Sequence, residues 1–268
     1  MTALVETKTN FHQCVACNKQ GRDFVVGDIH AAMHLLECAL DKVEFDKGSD
    51  RLFCLGDLID RGDNNQALIA LLGQPWFFSL RGNHEQMLLN RFDYSPMAHW
   101  LDGGKNQHEA HKLHVQNGGH WFDEMDACGQ EAIYHKLSQL PVAMTLETQN
   151  GRLGLVHAEV PQPFEDWLRF IAQLETQGDV RHEALWSRWF VGDVYDFHHH
   201  VYLDPALDTR WVANVDATVH GHTPVREPVV NGNQLWIDTA NITGELTILN
   251  ASEVFERLEH SKKRYPAS

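Results

Sequence analysis

The chain is short of positive charge. Its 268 residues include 22 lysines and arginines against 37 aspartates and glutamates, which gives a formal net charge of −15. Non-specific nucleic-acid binding depends on a net basic surface, so this balance argues against a nucleic-acid partner. A phosphorylated substrate is still allowed, because bound metal cations and a few arginines can make one pocket locally positive.

Long apolar segments are absent as well. No stretch is apolar over the roughly 20 residues that a membrane-spanning helix needs, and residues 1–13 contain no apolar core of signal-peptide length. We therefore expect a cytoplasmic protein with no membrane partner. Without an internal repeat, a low-complexity tract or a clear linker, the simplest expectation is a single domain over residues 1–268, with a helical insertion at roughly 94–139.

Cysteine is scarce, and its count is odd. The five cysteines are Cys14, Cys17, Cys38, Cys54 and Cys128. This scattered set predicts reduced thiols and not a disulfide framework. Cys14 and Cys17 could form half of a zinc site or a redox pair, but no second pair follows and structural zinc takes four ligands. We interpret them as part of a loop.

Short apolar runs alternate with helical patterns in the first third of the chain. Runs at 23–26, 51–56 and 76–80 each precede a segment with helical spacing or helix-forming residues. This order predicts an α/β protein with a parallel sheet, in which ligands bind beyond the carboxyl ends of the strands. Later strands are predicted at 142–148, 152–156, 215–219, 234–237 and 246–249, and a helix at 164–177.

Five polar turns, each at the end of an apolar run, carry side chains that can bind metal ions. They lie at 27–30, 56–62, 81–85, 156–158 and 220–224. Residues i and i+2 of an extended segment point the same way, so Asp28 and His30 could bind one ion together. The two carboxylate oxygens of Asp57 could bridge two ions. Adding an amide oxygen from Asn83 and imidazoles from His157 and His222 gives a mixed set that favours Mn, Fe or Zn.

These motifs resemble the signature of the calcineurin-like metallophosphoesterases. Gly-Asp-x-His, Gly-Asp-x-x-Asp-Arg-Gly and Gly-Asn-His-Glu occur in order at 27–30, 56–62 and 82–85. Their Asp-Arg-Gly and His-Glu parts are similar to the phosphoprotein phosphatase (PPP) family, above all to its lambda-type bacterial and bacteriophage serine/threonine phosphatases. The resemblance extends over roughly 23–249. It implies a metallophosphoesterase fold (α/β, or α+β), a central β-sandwich of mixed sheets flanked by helices.

The resemblance also implies a role for each site residue. One metal ion would be bound by Asp28, His30 and Asp57, and a second by Asp57, Asn83, His157 and His222. Asp60 would orient His84, the proton donor to the leaving group, while Arg61 and Arg188, with Arg81 close by, would hold the phosphate. The implied reaction is hydrolysis of phosphate monoesters, chiefly phosphoserine and phosphothreonine in proteins, by a hydroxide bridging two divalent ions. Mn²⁺ is the first choice for these ions, with Fe or Zn as alternatives.

The chain departs from the family pattern at three places. Ala31 and Ala240 each replace a usual glycine, which should leave the metal ligands in place. The stretch at 94–119 looks longer than in lambda-type enzymes, and this bears on substrate specificity more than on the chemistry. Within it, His108, His111 and His114 fall at helical spacing, and we interpret them as a solvated helix face.

Three other functions remain open from the sequence. A dinucleotide polyphosphate hydrolase of the diadenosine tetraphosphate type shares the metal motifs, although the Asp60-Arg61 pairing favours the monoesterase. Activity on phosphotyrosine is compatible with the same motifs. A non-catalytic module that binds phosphopeptides would be expected to have a damaged metal ligand or dyad, and none is damaged here.

Overall fold

The computed structural model describes residues 7–92, 107–203 and 210–264. Its strands form a seven-stranded and a four-stranded sheet, and a further pair forms a small ribbon. The two large sheets pack face to face and carry helices on their outer faces. The expected fold class, mixed sheets flanked by helices, is therefore confirmed. The first part of the expected insertion, up to residue 106, lies outside the described residues.

The elements are named here in chain order. The strands are β1 (Thr7–Lys8), β2 (His12–Val15), β3 (Asp23–Val26), β4 (Arg51–Cys54), β5 (Phe77–Ser79), β6 (Ala143–Glu147), β7 (Arg152–Val156), β8 (Tyr195–Asp196), β9 (Val201–Tyr202), β10 (Ala217–His220), β11 (Val229–Asn231), β12 (Gln234–Trp236) and β13 (Ile248–Asn250). The helices are α1 (Met33–Lys42), α2 (Asn65–Leu71), α3 (Asn83–Leu89), α4 (Gln107–Gln116), α5 (Ala127–Ser138), α6 (Trp167–Leu174), α7 (Gly178–Trp186), α8 (Trp189–Gly192), α9 (Ala240–Thr243) and α10 (Ala251–Arg264), with a 3₁₀ helix at Gly119–Glu124.

The four-stranded sheet has the order β13-β3-β4-β5. Its strands β3, β4 and β5 are parallel, and β13 pairs antiparallel to β3. Alternating side chains of a strand point to opposite faces. Val25 and Phe53 accordingly pack toward the seven-stranded sheet, whereas Phe24 and Val26 pack toward helices α1 and α2. Both faces are covered, which explains why these strands are continuously apolar and not alternating.

The seven-stranded sheet has the order β1-β2-β6-β7-β10-β12-β11. Strands β7, β10 and β12 run parallel, so their carboxyl ends share one edge. Helices α6 and α7 cover the outer face, where Trp167 and Phe170 pack on Val156. The indole of Trp167 also donates to Thr145 Oγ1 at 2.8 Å, so this large buried side chain has its polar atom satisfied.

Every strand and helix named in the sequence analysis is present, with ends that differ by a few residues. Among the elements that were missed are the strands β1, β2, β8, β9 and β11 and the helices α7, α8, α9 and α10. Cys14 lies buried in β2, so its interpretation as a loop residue was wrong. The short, polar sequence of β2 gives no period-2 signal, and this strand depends on its parallel pairing with β6. All five cysteines are free thiols, as expected.

One buried carboxylate joins the loops that follow β4 and β5. Glu85 Oε2 accepts the backbone N–H groups of Asp57 and Gly82, at 2.9 and 2.8 Å. Its Oε1 accepts those of Leu58 and Ile59, at 2.8 and 3.3 Å. A buried N–H group without an acceptor is costly, so each of these bonds restrains the backbone. The turn after β4 therefore takes its shape from a side chain of α3.

We expect Glu85→Gln to destabilise the protein by about 2–5 kcal/mol, because an amide replaces one acceptor oxygen with a donor that faces two buried N–H groups. Equilibrium unfolding in urea measures this loss. Glu37→Gln, at an exposed position of α1, is the matched control and should change stability by less than about 0.5 kcal/mol. A Glu85→Gln variant as stable as this control would contradict the anchoring role.

Candidate active site

The predicted metal ligands meet at the carboxyl ends of the parallel strands. Asp28 and His30 follow β3, Asp57 follows β4, and Asn83 follows β5. The loops are bonded to one another, since the carbonyl of Asp57 accepts the N–H groups of Ile29 and His30 at 3.2 and 2.9 Å. From the other sheet, His157 follows β7 and His222 follows β10. Parallel strand ends thus bring together residues far apart in the sequence.

The backbone at this edge is strained. Five predicted site residues have positive φ angles, namely His30 (47°), Asp57 (50°), Asp60 (72°), Arg61 (67°) and His222 (61°). Such conformations cost roughly 1–3 kcal/mol each and cluster at functional sites. The packing is also close: a Cβ atom on Gly82 would lie 2.1 Å from Asp57 Oδ1. Glycine there makes room for the Asp57 carboxylate.

A first group of metal donors is formed by Asp28, His30 and Asp57. His30 Nδ1 donates to the Ile59 carbonyl at 3.0 Å, so Nε2 keeps its lone pair. That Nε2 lies 3.7 Å from Asp57 Oδ2 and 4.0 Å from Asp28 Oδ2. Both carboxylates are buried. Burial and the neighbouring carboxylates of Asp238 and Asp57 raise the pKa of Asp28 well above its usual range.

A second group shares Asp57 and adds Asn83, His157 and His222. His157 Nδ1 donates to the Leu55 carbonyl at 2.8 Å, and His222 Nε2 lies 3.3 Å from the Trp186 carbonyl. Each histidine therefore turns the lone pair of its other nitrogen inward. Both of these nitrogens lie 2.9 Å from Asn83 Oδ1, so lone pairs converge on one point, an arrangement that a cation stabilises.

The spacing of the donor atoms fits two such cations. Ligands about 2.0–2.2 Å from one ion can lie at most about 4.4 Å apart. His157 Nε2 lies 3.5 Å from Asp57 Oδ1, and the distances around His30 are also within this limit. Within the wider distance of 4.8 Å, the donor atoms form two buried trios, His30–Asp57–His84 and Asp57–His157–His222, the first of which has His84 in place of the predicted Asp28. Asp57 belongs to both trios.

Asp60 and His84 form a buried pair beside the first donor group. His84 Nδ1 lies 2.8 Å from Asp60 Oδ2. Burial alone would raise the pKa of Asp60, but hydrogen bonds with His114 and His84 outweigh burial and lower this pKa to about 2. Burial alone would lower the pKa of His84, but the carboxylates of Asp57 and Asp60 raise it. A raised pKa suits a proton donor.

Two arginines border the donor groups. Arg61 places Nη1 2.9 Å from His30 Nε2 and Nη2 3.1 Å from His84 Nε2. Arg188 donates from Nη2 to the His222 carbonyl at 3.3 Å. Burial lowers the pKa of Arg188, and the nearby carboxylates, Asp28 first, partly offset this effect. Positive charge therefore lies on two sides of the site.

Arg188 is positioned by a buried carboxylate that the sequence analysis missed. Glu159 accepts the Ser187 hydroxyl and the backbone N–H groups of Trp189 and Phe190, the latter two at 2.7 and 3.0 Å. These bonds fix the chain on both sides of Arg188 where α8 begins. The signal was available, since Glu159 follows the His157-Ala158 turn, but one acidic residue in a turn carries little weight by itself.

Arg81, the third arginine of the predicted site, makes its contacts within the fold. Its Nη1 donates to Gln86 Oε1 at 3.1 Å, and its Nη2 donates to the Ser138 carbonyl at 2.8 Å. The guanidinium is buried and directed toward the end of α5, away from the metal donors. Arg81 was expected either to contact the phosphate or to support the fold, and these bonds, which connect α3 to α5, favour the supporting role.

Histidines outside the predicted set differ in their burial. His108 is exposed, but His114 is completely buried, with a relative exposure of 0%. The expectation of a solvated helix face therefore fails at His114, which contacts Asp60. His220 is buried in β10, where its Nε2 lies 2.8 Å from Thr218 Oγ1. Asp238 is buried as well; burial, followed by the Asp57 carboxylate, raises its pKa to about 7.

Comparison with known proteins agrees with this geometry. The family model described as calcineurin-like phosphoesterase matches residues 24–226. Serine/threonine-protein phosphatase 1 of Salmonella typhimurium is 30% identical over 230 residues, which cover 84% of this chain and 89% of that protein. A symmetrical bis(5'-nucleosyl)-tetraphosphatase of Cellvibrio japonicus is 36% identical, but over only 67 residues, 25% of this chain and 23% of that protein.

Solved structures agree at the level of the fold. A crystal structure provisionally described as that of a diadenosine tetraphosphatase superimposes with a TM-score of 0.53 at 18% identity, covering 90% of this chain and 98% of that chain. No described helix is long and apolar enough to cross a membrane. From the family match and the phosphatase similarity along most of its length, the chain belongs to the calcineurin-like phosphoesterase family, as its motifs predict, and is a metal-dependent phosphoester hydrolase.

Proposed function

We propose that this hydrolase is a cytoplasmic protein phosphatase that dephosphorylates phosphoserine and phosphothreonine. The observation that carries the proposal is the meeting of two donor groups at Asp57, directly beside the Asp60–His84 pair and Arg61. Similarity to serine/threonine phosphatases over 84% of the chain supports this substrate class. Sequence similarity to the Cellvibrio japonicus tetraphosphatase covers only a quarter of the chain, so the dinucleotide activity is the weaker alternative.

The proposed cofactor is a pair of divalent ions, with Mn²⁺ the first to test and Fe or Zn as alternatives. Asp28, His30 and Asp57 would hold one ion, and Asp57, Asn83, His157 and His222 the other. Bound there, the ions would supply charge neutralisation and activation of the attacking water. Mixed carboxylate, amide and imidazole donors suit these metals better than Ca²⁺ or Mg²⁺.

Side chains of the protein would bind the phosphate and supply a proton to the leaving group. Arg61 and Arg188 hold the phosphate oxygens, since a guanidinium can meet two oxygens at once and keeps its charge. Arg61 Nη2 can only donate, so His84 Nε2 is the acceptor in their 3.1 Å contact, and the ring N–H lies at Nδ1, facing Asp60. In the proposed mechanism His84 takes up a second proton at Nε2 once Arg61 turns to the phosphate, and donates it to the leaving oxygen while Asp60 fixes the ring through Nδ1. A seryl or threonyl alkoxide is a poor leaving group, so this proton transfer contributes about 10²–10⁴-fold in the proposed mechanism.

The substrate class is tested by phosphate release after chelation and addition of Mn²⁺. Matched phosphoserine, phosphothreonine and phosphotyrosine peptides are assayed beside diadenosine tetraphosphate. We expect metal-dependent release from the phosphoserine and phosphothreonine peptides. Cleavage of the dinucleotide with the peptides untouched would overturn the proposed substrate class. Preference for phosphotyrosine would correct the residue type alone, and binding of peptides without turnover would indicate a non-catalytic module.

The shared role of Asp57 predicts a difference in metal content. Asp57→Asn should lose both ions, because it removes the carboxylate that the two donor groups share, whereas His157→Asn should lose mainly one of about two ions. Metal bound per chain is measured by elemental analysis after gel filtration in Mn²⁺. Asp63→Asn, an exposed position of the same loop, is the control. Equal metal content in Asp57→Asn and Asp63→Asn would contradict the bridging role.

The proton-donor role of His84 predicts a dependence on the leaving group. His84→Asn should reduce kcat by about 10²–10⁴-fold on a phosphoserine peptide. On an aryl phosphate, whose leaving group needs little protonation, the loss should be much smaller. Metal content should be unchanged, which separates this effect from loss of the ions. Equal losses on the two substrates would count against the acid role.

A further inference from the structure

Asp60 has a second set of partners that the proposed mechanism does not use. Its Oδ2 faces His84, while its Oδ1 lies 3.1 Å from His114 Nε2 and 2.7 Å from Trp121 Nε1. His114 belongs to α4, and Trp121 belongs to the 3₁₀ helix that follows. Both partners come from the region expected to be an insertion. Asp60 and the His114 side chain are completely buried.

The hydrogen bonds of His114 define its tautomer. Its Nδ1 lies 3.3 Å from Arg91 Nη1. A guanidinium has donors and no acceptor, so Nδ1 must be the acceptor in this pair. The ring hydrogen then resides on Nε2 and is donated to Asp60 Oδ1. Trp121 can only donate, so Asp60 Oδ1 receives two N–H bonds.

Arg91 is itself held in place. It forms an ion pair with Asp123, which also lies 3.0 Å from His111 Nε2, and its guanidinium stacks on the Phe122 ring at 4.8 Å. The chain of contacts therefore runs from Asp123 through Arg91 and His114 to Asp60 and His84. The network is buried at His114, Asp60 and His84 and reaches the surface at Asp123, and its hydrogen bonds orient the buried members.

Gly119 accommodates the His114 ring. A Cβ atom at this position would lie 2.3 Å from His114 Nε2, so a larger residue would displace the imidazole from Asp60. This glycine begins the 3₁₀ helix that carries Trp121. Both donors to Asp60 Oδ1 thus depend on the same close contact between α4 and the 3₁₀ helix.

We propose that His114 is a positioning residue that, with Trp121, fixes the Asp60 carboxylate so that Asp60 holds His84 in the proton-donating orientation. The proposal rests on the roles of Asp60 and His84 given above. A carboxylate bound through only one oxygen can rotate about its χ2 angle, whereas bonds to both oxygens stop this rotation. The region between α3 and β6 then acts on the chemistry and not only on access of the substrate.

The test compares His114→Phe, which removes the donor, with His114→Gln, whose amide can still donate near the position of Nε2. We expect His114→Phe to reduce kcat on phosphoserine peptide by about 10- to 100-fold, consistent with loss of one hydrogen bond to a charged group. The loss on aryl phosphate should be within about 3-fold, and KM should be unchanged on both substrates. His114→Gln should recover part of the loss. His108→Gln, at an exposed position of the same helix, should match the wild type.

Metal content and urea unfolding are measured on each variant, because a merely structural role would lower activity on both substrates together. A selective loss in His84→Asn without one in His114→Phe would overturn the positioning role and leave the proposed function intact. Trp121→Phe, which retains the ring and removes its donor, should show the same selectivity. If Trp121→Phe shows it and His114→Phe does not, His114 is excluded and Trp121 alone positions Asp60.

Nitrogen-15 NMR of histidine-labelled protein tests the contact independently of any activity. His114 should show a protonated Nε2 and an unprotonated Nδ1, and His114→Phe should shift the His84 Nδ1–H resonance. A protonated Nδ1 on His114, or an unmoved His84 resonance, would overturn the inference even if the substrate class proves correct. If His84→Asn instead shows no selective loss, the acid role fails and the proposal is overturned with it, while the NMR result still reports on the contact.

Discussion

The site depends on one buried carboxylate that touches neither ion nor substrate in the proposed mechanism. Glu85 accepts four backbone N–H groups and so sets the shape of the turn after β4. That turn presents the Asp57 carbonyl to Ile29 and His30, and Asp57 Oδ1 to the N–H of His84. The loops after β3, β4 and β5 are therefore fixed relative to one another through Glu85 and Asp57, before any side chain binds a ligand.

This rigidity explains how the protein sustains the unfavourable features of the site. Several site residues are held at positive φ, and the carboxylates of Asp28 and Asp57 are buried within reach of each other. Each feature costs free energy that the packing of the two sheets must offset. Bound cations would neutralise the carboxylates, so metal binding and the stability of this edge of the fold are coupled. The strain is confined to loop ends, and the strands beneath them are regular.

The sequence was informative where chemistry follows local spacing. Asp28 and His30 share one turn, and Asp60 and Arg61 share another. Parallel strands bring such turns together at one edge of the sheet, so local spacing was enough to predict them. It was uninformative where a contact joins distant segments. The direction of Arg81 depends on a carbonyl at Ser138, and the burial of His114 depends on a 3₁₀ helix packing against its ring. A polar face on a helix cannot reveal that another element covers it, and β2 forms only because β6 lies beside it.

The two parts of the site have different origins in the fold, and this has a mechanistic consequence. The proposed metal ligands all follow strands of the two sheets, whereas the second oxygen of Asp60 is held by α4 and the 3₁₀ helix. Proton delivery to a poor leaving group needs an imidazole held in one orientation, and in the proposed mechanism that orientation depends on α4 and the 3₁₀ helix. Changes in those helices would therefore alter which leaving groups are cleaved while the metal site remains unchanged.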